Sequence, residues 1–337
     1  MRLQDIGETG LIKLLSERIK NKNDNIIKGI GDDTAVIRID PSLFLLATTD
    51  MLVEGEHFLL KSITGEALGY KALAVNLSDI AAMGGRAKHA LVAIGLPADL
   101  EVEYILEIYR GMQSLADEFA VSIVGGDTVS SPAGLVINVT VLGVVEPTRV
   151  LLRSGAKPGD LILVTGSLGH SRAGLELVKD NYIELSAEER QEALSRHYYP
   201  WPRLREIDLL VQAGKINSLN DISDGLAKDL EEITVASGVG AVIEANKVPV
   251  NGLTKKIALQ KGHNPLDYVF YGGEDFELVL TAEPNTAREL LAQAARENIE
   301  LHVIGKIIEE AGLFLQQEGS SPSLIAGGWD HFRGREV

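Results

Sequence analysis

Apolar positions spaced three and four apart mark the helices of this chain. Ile105, Ile108, Met112, Leu115 and Phe119 form one such stripe, which predicts a helix with a single buried face. Residues 64–83 read as a second helix that stops at Gly84 and Gly85, where a left-handed stop is easy. β-rich runs at 43–48, 89–94, 121–124 and 135–145 surround these helices. Pro147, Gly155, Pro158 and Gly159 then break the pattern, which places a boundary between residues 1–148 and 149–337. Beyond it a strand at 161–166 restarts the pattern, a helix over about 171–180 follows, and then the polar stretch SAEERQEALSRHYY. Leu226, Leu230 and Ile233 mark a further amphipathic helix. Strands near 241–244, 276–281 and 301–308 alternate with a helix over 286–298. There is no repeat of fixed period and no low-complexity tract. The expected class is α+β, in two domains.

Composition narrows the function. With 337 residues, 45% hydrophobic and 24% charged, the chain has ordinary globular proportions, so disorder is expected only at the termini. No apolar run approaches the roughly 20 residues of a membrane span. The opening MRLQDIGETGLIKLL carries Asp5 and Glu8 and lacks the apolar core of a signal peptide. With no cysteine, disulfides, thiolate metal sites and thiol nucleophiles are excluded. A cytoplasmic enzyme is expected, with no membrane partner. A net charge of −16 argues against nucleic acid, whose phosphates are met by basic surfaces. An anionic small molecule remains open provided that cations intervene.

The acidic residues cluster in short stretches: GIGDDTAV at 29–36, TTD at 48–50, LSD at 77–79, GGDT at 125–128, DISDG at 221–225 and GGED at 272–275. Most read as junctions between an apolar run and a turn. Phosphate-binding loops of the G-x-x-x-x-G-K-[ST] and G-x-G-x-x-G types are absent, as are H-E-x-x-H and G-x-S-x-G. Dispersed single aspartates suit Mg²⁺, which takes one or two carboxylates plus waters and substrate phosphates. Two like charges ~4 Å apart repel by roughly 4 kcal/mol at an effective dielectric of 20. Several aspartates facing a triphosphate therefore require divalent ions between them.

Taken singly, some of these residues keep two readings. Asp221 and Asp224 either serve chemistry or cap the helix near Leu226 with Ser223. Asp33 and Asp127 are either ligands or turn residues bonding nearby backbone N–H groups. Asp79 is harder to explain away, because it shares an otherwise apolar helix segment with Asn76, where an unpaired carboxylate is costly. Lys71 and Lys88 read as salt-bridge or surface residues.

In order along the chain, GIGDDTAV, TTDMLVEGEHF, YKALAVNLSDIAAMG, IVGGDT, RSGAKPGD, DISDGL, GGEDFEL and GGWDHF closely resemble the thiamine-monophosphate kinase family. That family shares a superfamily with aminoimidazole ribonucleotide synthetase, selenophosphate synthetase and a hydrogenase-maturation protein. The resemblance implies two α+β domains with mixed or antiparallel sheets flanked by helices, paired as a homodimer through the N-terminal sheets. Residues 1–148 would bind ATP and magnesium and dimerise, and residues 149–337 would complete both sites. It implies transfer of the γ-phosphate of ATP to thiamine monophosphate, with several Mg²⁺ ions. Asp33, Thr48, Thr49, Asp50, Asp79, Asp127, Asp221 and Asp224 are then metal ligands, with Thr48 acting through its backbone and Asp32 supporting Asp33. Tyr109, Gly126, Asp127, Arg153 and Ser223 are nucleotide contacts. His57, Glu274 and Trp329 are substrate contacts, with Asp330 beside the last; from the residues alone His57 also reads as a polar loop residue and Trp329 as an aromatic plug. No general base is expected, since a phosphate monoester has its second pKa near ~6 and is largely dianionic at neutral pH. The alternatives are another ATP-dependent enzyme of the superfamily, of which the cysteine-dependent members lose their nucleophile here, and a non-catalytic Mg²⁺-nucleotide sensor.

Overall fold

Two six-stranded sheets organise the chain. A computed structural model describes residues 2–19, 23–180, 182–317, 324, 327–329 and 331–332. The first half runs α1 (Leu3–Arg18), β1 (Ile26–Lys28), β2 (Ala35–Asp40), β3 (Leu43–Val53), α2 (Gly65–Ala82), β4 (Arg86–Leu96), α3 (Val102–Glu118), β5 (Ser122–Ser130) and β6 (Val136–Val145). The second runs β7 (Leu161–Thr165), α4 (His170–Lys179), α5 (Ala187–Tyr198), α6 (Leu204–Ala213), β8 (Ser218–Asp221), α7 (Leu226–Ser237) and β9 (Gly240–Glu244). It continues with α8 (Gly252–Gln260), α9 (Pro265–Tyr271), β10 (Leu278–Ala282), α10 (Pro284–Arg296), β11 (Leu301–Ile308) and β12 (Gly312–Gln316).

The first sheet has the order β1-β2-β3-β6-β4-β5 and is antiparallel except for the β4–β5 pair. The second, β12-β9-β11-β7-β10-β8, is antiparallel except for β9–β12. The α+β class with mixed sheets is therefore observed. Along β3 and β6 burial alternates, the period-2 signature of a sheet covered on one face. Leu46, Val92, Val139 and Val141 point into the helix-covered core. On the opposite face Met51 and Leu91 remain 52% and 39% exposed.

α2 is buried almost throughout and is capped by Thr64, whose hydroxyl accepts from the Ala67 N–H at 3.2 Å. α3 buries the predicted stripe at Ile108, Met112 and Leu115. The two helices meet backbone to backbone: a Cβ on Gly69 would fall 1.8 Å from the Ile108 carbonyl oxygen, and one on Gly111 would fall 1.8 Å from that of Glu66. Only glycine permits this approach. One apolar core spans from α2, α3 and the first sheet to Leu163, Leu219, Leu278 and Leu290 of the second half. β10 alternates between this core and a second one built on α7 and α9, with Leu278 and Leu280 facing one and Val279 the other. Among the described residues no helix is long and apolar enough to cross a membrane.

Candidate active site

A cleft of about 470 Å³ opens between the halves. One end is acidic. Asp33, in the bend before β2, Asp79, near the end of α2, and Asp221, closing β8, bring carboxylate oxygens within 4.8 Å of one another. Asp50 of β3 joins them, and the Thr48 hydroxyl donates to Asp79. Three elements thus converge because each carries its aspartate on the face turned to the junction. Ser78, the residue before Asp79, ties the halves together by donating to Asp221 at 2.6 Å.

Cations are scarce here. Burial raises the Asp33 carboxyl to about 7 even though the Arg153 guanidinium opposes it. Burial, followed by the charges of Asp50, Asp221 and Asp33, pushes Asp79 well above the carboxylate range. Asp221 is driven the same way, first by burial and then by Asp33, and Asp50 first by burial. The second oxygen of Asp33 is buried without a hydrogen-bond partner. Carboxylates in this state await cations, and an oxygen-only donor set is the kind hard cations prefer.

The structure resolves several of the open readings. Asp221 and Asp224 do not cap α7; Asp229, from within the helix, accepts from the N–H groups of Asp224 and Gly225, each at 3.1 Å. Asp33 makes no turn bond either: one of its oxygens takes the Arg153 guanidinium at 2.5 Å. Asp32 braces the bend, accepting from the Asp33 N–H at 3.4 Å and the Arg153 N–H at 3.3 Å and pairing with Lys28 at 3.0 Å. The expectation that the acidic stretches are mostly turns is corrected. Asp50 lies within β3, Asp79 within α2 and Asp127 within β5, because the strand ladders and the helix continue past each acid.

Arg153 is held from three sides, by Asp33, by Glu232 at 2.8 Å and by the Asn220 side-chain oxygen at 3.1 Å. Ser223 lines the cleft, and its carbonyl accepts from the Glu274 N–H at 2.7 Å. Asp224 lines it too, paired with Lys228 at 2.5 Å. Lys228 also donates to the Trp329 carbonyl at 3.0 Å, and Gly328 packs so closely on the Asp224 carbonyl that a Cβ would come within 2.6 Å. Gly328 and Trp329 are thus pinned against DISDG. Asp330 lies outside the described residues.

At the other end His57, Glu274 and Trp329 share the cleft wall. The His57 Nδ1 accepts from the Val53 N–H at 3.0 Å, so in the neutral ring Nε2 carries the proton and is a donor. Burial, then the nearby His331, lowers its pKa. The Trp329 indole donates to His331 at 3.2 Å. Glu274 pairs with Lys71 at 2.7 Å, and its second oxygen lies 3.5 Å from His197 Nδ1. Lys71, read as a salt-bridge or surface residue, is a salt-bridge residue that is only 1% exposed. Lys88 is exposed.

Not every predicted residue reaches the cleft within one chain. The Thr49 hydroxyl lies 2.9 Å from that of Thr140, one register row from Asp50 and on the uncovered face. Asp127 shares a row with Met51, Asn138 and Ala93 on the edge strand β5, three strands from Asp50. Gly126 precedes it on that exposed edge, and half-buried Tyr109 packs on the core from α3. Sequence reasoning missed Lys71, His197, Asn220, Asp229 and Glu232. The α7 acids Asp229 and Glu232 carried the one available signal, standing three apart on a helix that follows DISDG.

Comparison with known proteins adds an independent measure. Residues 31–145 match the family model "AIR synthase related protein, N-terminal domain", and residues 157–318 match its C-terminal counterpart. The thiamine-monophosphate kinase of Aquifex aeolicus is 36% identical over 98% of this chain and 100% of its own length. That of Bacillus subtilis is 38% identical over 90% of this chain and 93% of its own. The structure of AaThiL complexed with AMPPCP and TMP is similar at TM-score 0.85 and 35% identity, covering 98% of this chain and 99% of that one. Escherichia coli HypE, at 21% identity and TM-score 0.72, shares the fold.

Proposed function

The chain belongs to the thiamine-monophosphate kinase family, within the AIR synthase related proteins, and from that premise we propose how its cleft works. The protein catalyses ATP-dependent phosphorylation of thiamine monophosphate to thiamine diphosphate. The observation that carries the site assignment is the cluster of Asp33, Asp79 and Asp221, short of cations, which reaches one end of the cleft through Asp79, while the other end offers His57, Glu274 and Trp329.

The donor set fits Mg²⁺: it is all carboxylate oxygen, burial and then neighbouring aspartates raise the Asp79 carboxyl well above the usual range, burial raises that of Asp33 to about 7, and one buried Asp33 oxygen has no partner. We assign Asp33, Asp50, Asp79, Asp221 and Asp224 as its holders, with Thr48 beside them. Bound magnesium supplies charge neutralisation and a template for in-line phosphoryl transfer. The residues of the chain do the rest by placement. None of them needs to remove a proton, because the accepting phosphate is already largely ionised at neutral pH. Ser78, Thr48 and Asp32 fix the carboxylates, and Asn220 and Glu232 fix Arg153. For Arg153 to meet a nucleotide phosphate, it must exchange one of its carboxylate partners for it; its planar fork suits that role. Trp329 offers a face for the cationic thiazolium, and His57 offers an N–H donor. A cytoplasmic location follows from dependence on ATP.

We also propose that residues 1–148 bind ATP and magnesium and dimerise, that residues 149–337 complete the nucleotide and substrate sites, and that the protein is a homodimer. The uncovered sheet face and the long exposed edge of β5, with Val124 and Val129 at 56% and 55% exposure, support that pairing. A second copy there would bring Gly126, Asp127, Thr49 and Tyr109 into a shared site. Light scattering should give the mass of two chains, and L91E the mass of one; a monomeric wild type would refute the pairing.

The direct test is incubation with ATP, Mg²⁺ and thiamine monophosphate, followed by chromatography of the products. Thiamine diphosphate should form, and EDTA should abolish it. Nucleotide binding without product would instead favour a sensor.

A further inference from the structure

The acidic end and the substrate end of the cleft are joined by one helix stripe. Lys71, Val75 and Asp79 stand four apart on α2, and all three line the cleft. Lys71 and Asp79 are thus two turns apart, roughly 12 Å along the axis. Lys71 is among the largest fully buried side chains of the described residues, and a buried ammonium needs a partner. That partner comes from the other half of the molecule: Glu274 Oε1, at 2.7 Å.

Glu274 is held with unusual care. Its backbone is left-handed, at φ 58°, which is costly for a side chain larger than glycine. Gly273 before it, at φ 69°, and Phe276 after it, at φ 50°, share that region. Its N–H is bonded to the Ser223 carbonyl at 2.7 Å. Its Oε2 faces His197 Nδ1 at 3.5 Å, and that nitrogen lies 2.9 Å from the Ser171 hydroxyl. Burial opposes the ionised form of Glu274, yet the Lys71 ammonium above all holds its pKa below the usual value. Burial keeps His197 itself neutral, lowered to about 3. With Lys71 and Glu274 cancelling, the pair adds no net charge to the cleft. It presents a carboxylate acceptor that neither repels a phosphate nor competes for magnesium.

We propose that Lys71 is a positioning residue: by anchoring one oxygen of Glu274 it aims the other at the amine-bearing, cationic organic part of the acceptor. Lys71 thereby sets selectivity for the acceptor while leaving ATP recognition alone. The proposal rests on the kinase reading given above.

The test is steady-state kinetics on the full chain with saturating ATP and Mg²⁺. The variants are Lys71→Met, Glu274→Gln and the double variant. Lys71→Met should raise KM for thiamine monophosphate about tenfold, with kcat within about threefold and KM for ATP unchanged, the pattern of a lost contact to one end of one substrate. Glu274→Gln should do the same, and the double variant should stay near tenfold, because both changes remove a single interaction. Effects that multiply to about a hundredfold would overturn the proposal. So would parallel losses in kcat and both KM values, which mark a structural role. If Lys71→Met does not fold, the double variant, which leaves no unpaired buried charge, is compared with Glu274→Gln alone. Equal KM values then support the proposal, and a further tenfold rise overturns it. A folded wild type that forms no thiamine diphosphate removes the kinase reading and this proposal together. An active wild type with independent residues removes this proposal alone.

Discussion

The two ends of the cleft solve the burial of charge in opposite ways. At the Lys71–Glu274 end, the chain supplies both signs and closes the pair at 2.7 Å. At the Asp33–Asp79–Asp221 end it supplies one sign, with Arg153 meeting only one oxygen of the cluster. The first arrangement is complete in the free protein. The second is destabilising until something positive arrives, and this marks it as the place where ions and phosphates meet. Buried carboxylates alone do not identify a metal site; buried carboxylates without their counter-charges do.

The largest expected effect lies at the acidic end. Asp79→Asn should lower kcat at least a hundredfold, about 3 kcal/mol for a lost ligand in phosphoryl transfer. Near-normal turnover at millimolar Mg²⁺, measured by thiamine diphosphate formation, would erase the distinction between the ends. Stability should respond with opposite signs. In metal-free protein Asp79→Asn should raise the melting temperature by relieving repulsion. Lys71→Met should lower stability by about 3 kcal/mol, as expected when one partner of a buried pair is removed. Calorimetry in EDTA decides this, and a fall in both variants would contradict the contrast.

The pH dependence sharpens it further. Asp33 titrates near 7 in the fold and near 4 when unfolded, so the folded state holds the extra proton between those values. Stability contributed by Asp33 therefore falls as pH rises from about 4 to 7. Buried His170, lowered to about 4, and His197 act in the reverse direction as pH falls below their unfolded value. The difference between wild type and Asp33→Asn isolates the aspartate: without metal, wild type should lose a few degrees more than the variant between pH 5 and 8. Saturating Mg²⁺ should remove the difference, and parallel melting curves without metal would count against it. The smallest effect should come from Trp329→Ala, with KM for thiamine monophosphate raised by about 1 kcal/mol and ATP affinity kept. Equal loss for both ligands would speak against stacking.

Much of this was legible in the residues. The α3 stripe, the glycine stop after α2 and the alternation of β6 follow from periodicity, and the acidic stretches pointed to Asp33, Asp79 and Asp221. Other features were hidden for physical reasons. SAEERQEALSRHYY is the helix α5, begun by a capping box between Ser186 and Glu189 but too polar to show an apolar stripe. β8 is four residues long and wholly buried, too short for any period. Lys71 sits in an apolar helix and finds its partner 203 positions later, a pairing that spacing cannot announce. Neither Asp221 nor Asp224 caps α7; instead Asp229, inside its first turn, reaches back to the N–H groups of Asp224 and Gly225, a contact that no sequence spacing announces.

The glycine crossing of α2 and α3 carries a mechanical consequence. With Gly69 against Ile108 and Gly111 against Glu66, α2 is clamped like a beam at a weld, unable to slide or roll. The offset between its ammonium and its carboxylate is therefore a fixed gauge length shared by both substrates' stations. A single methyl at that joint, far from any reacting atom, would throw both stations out of alignment at once.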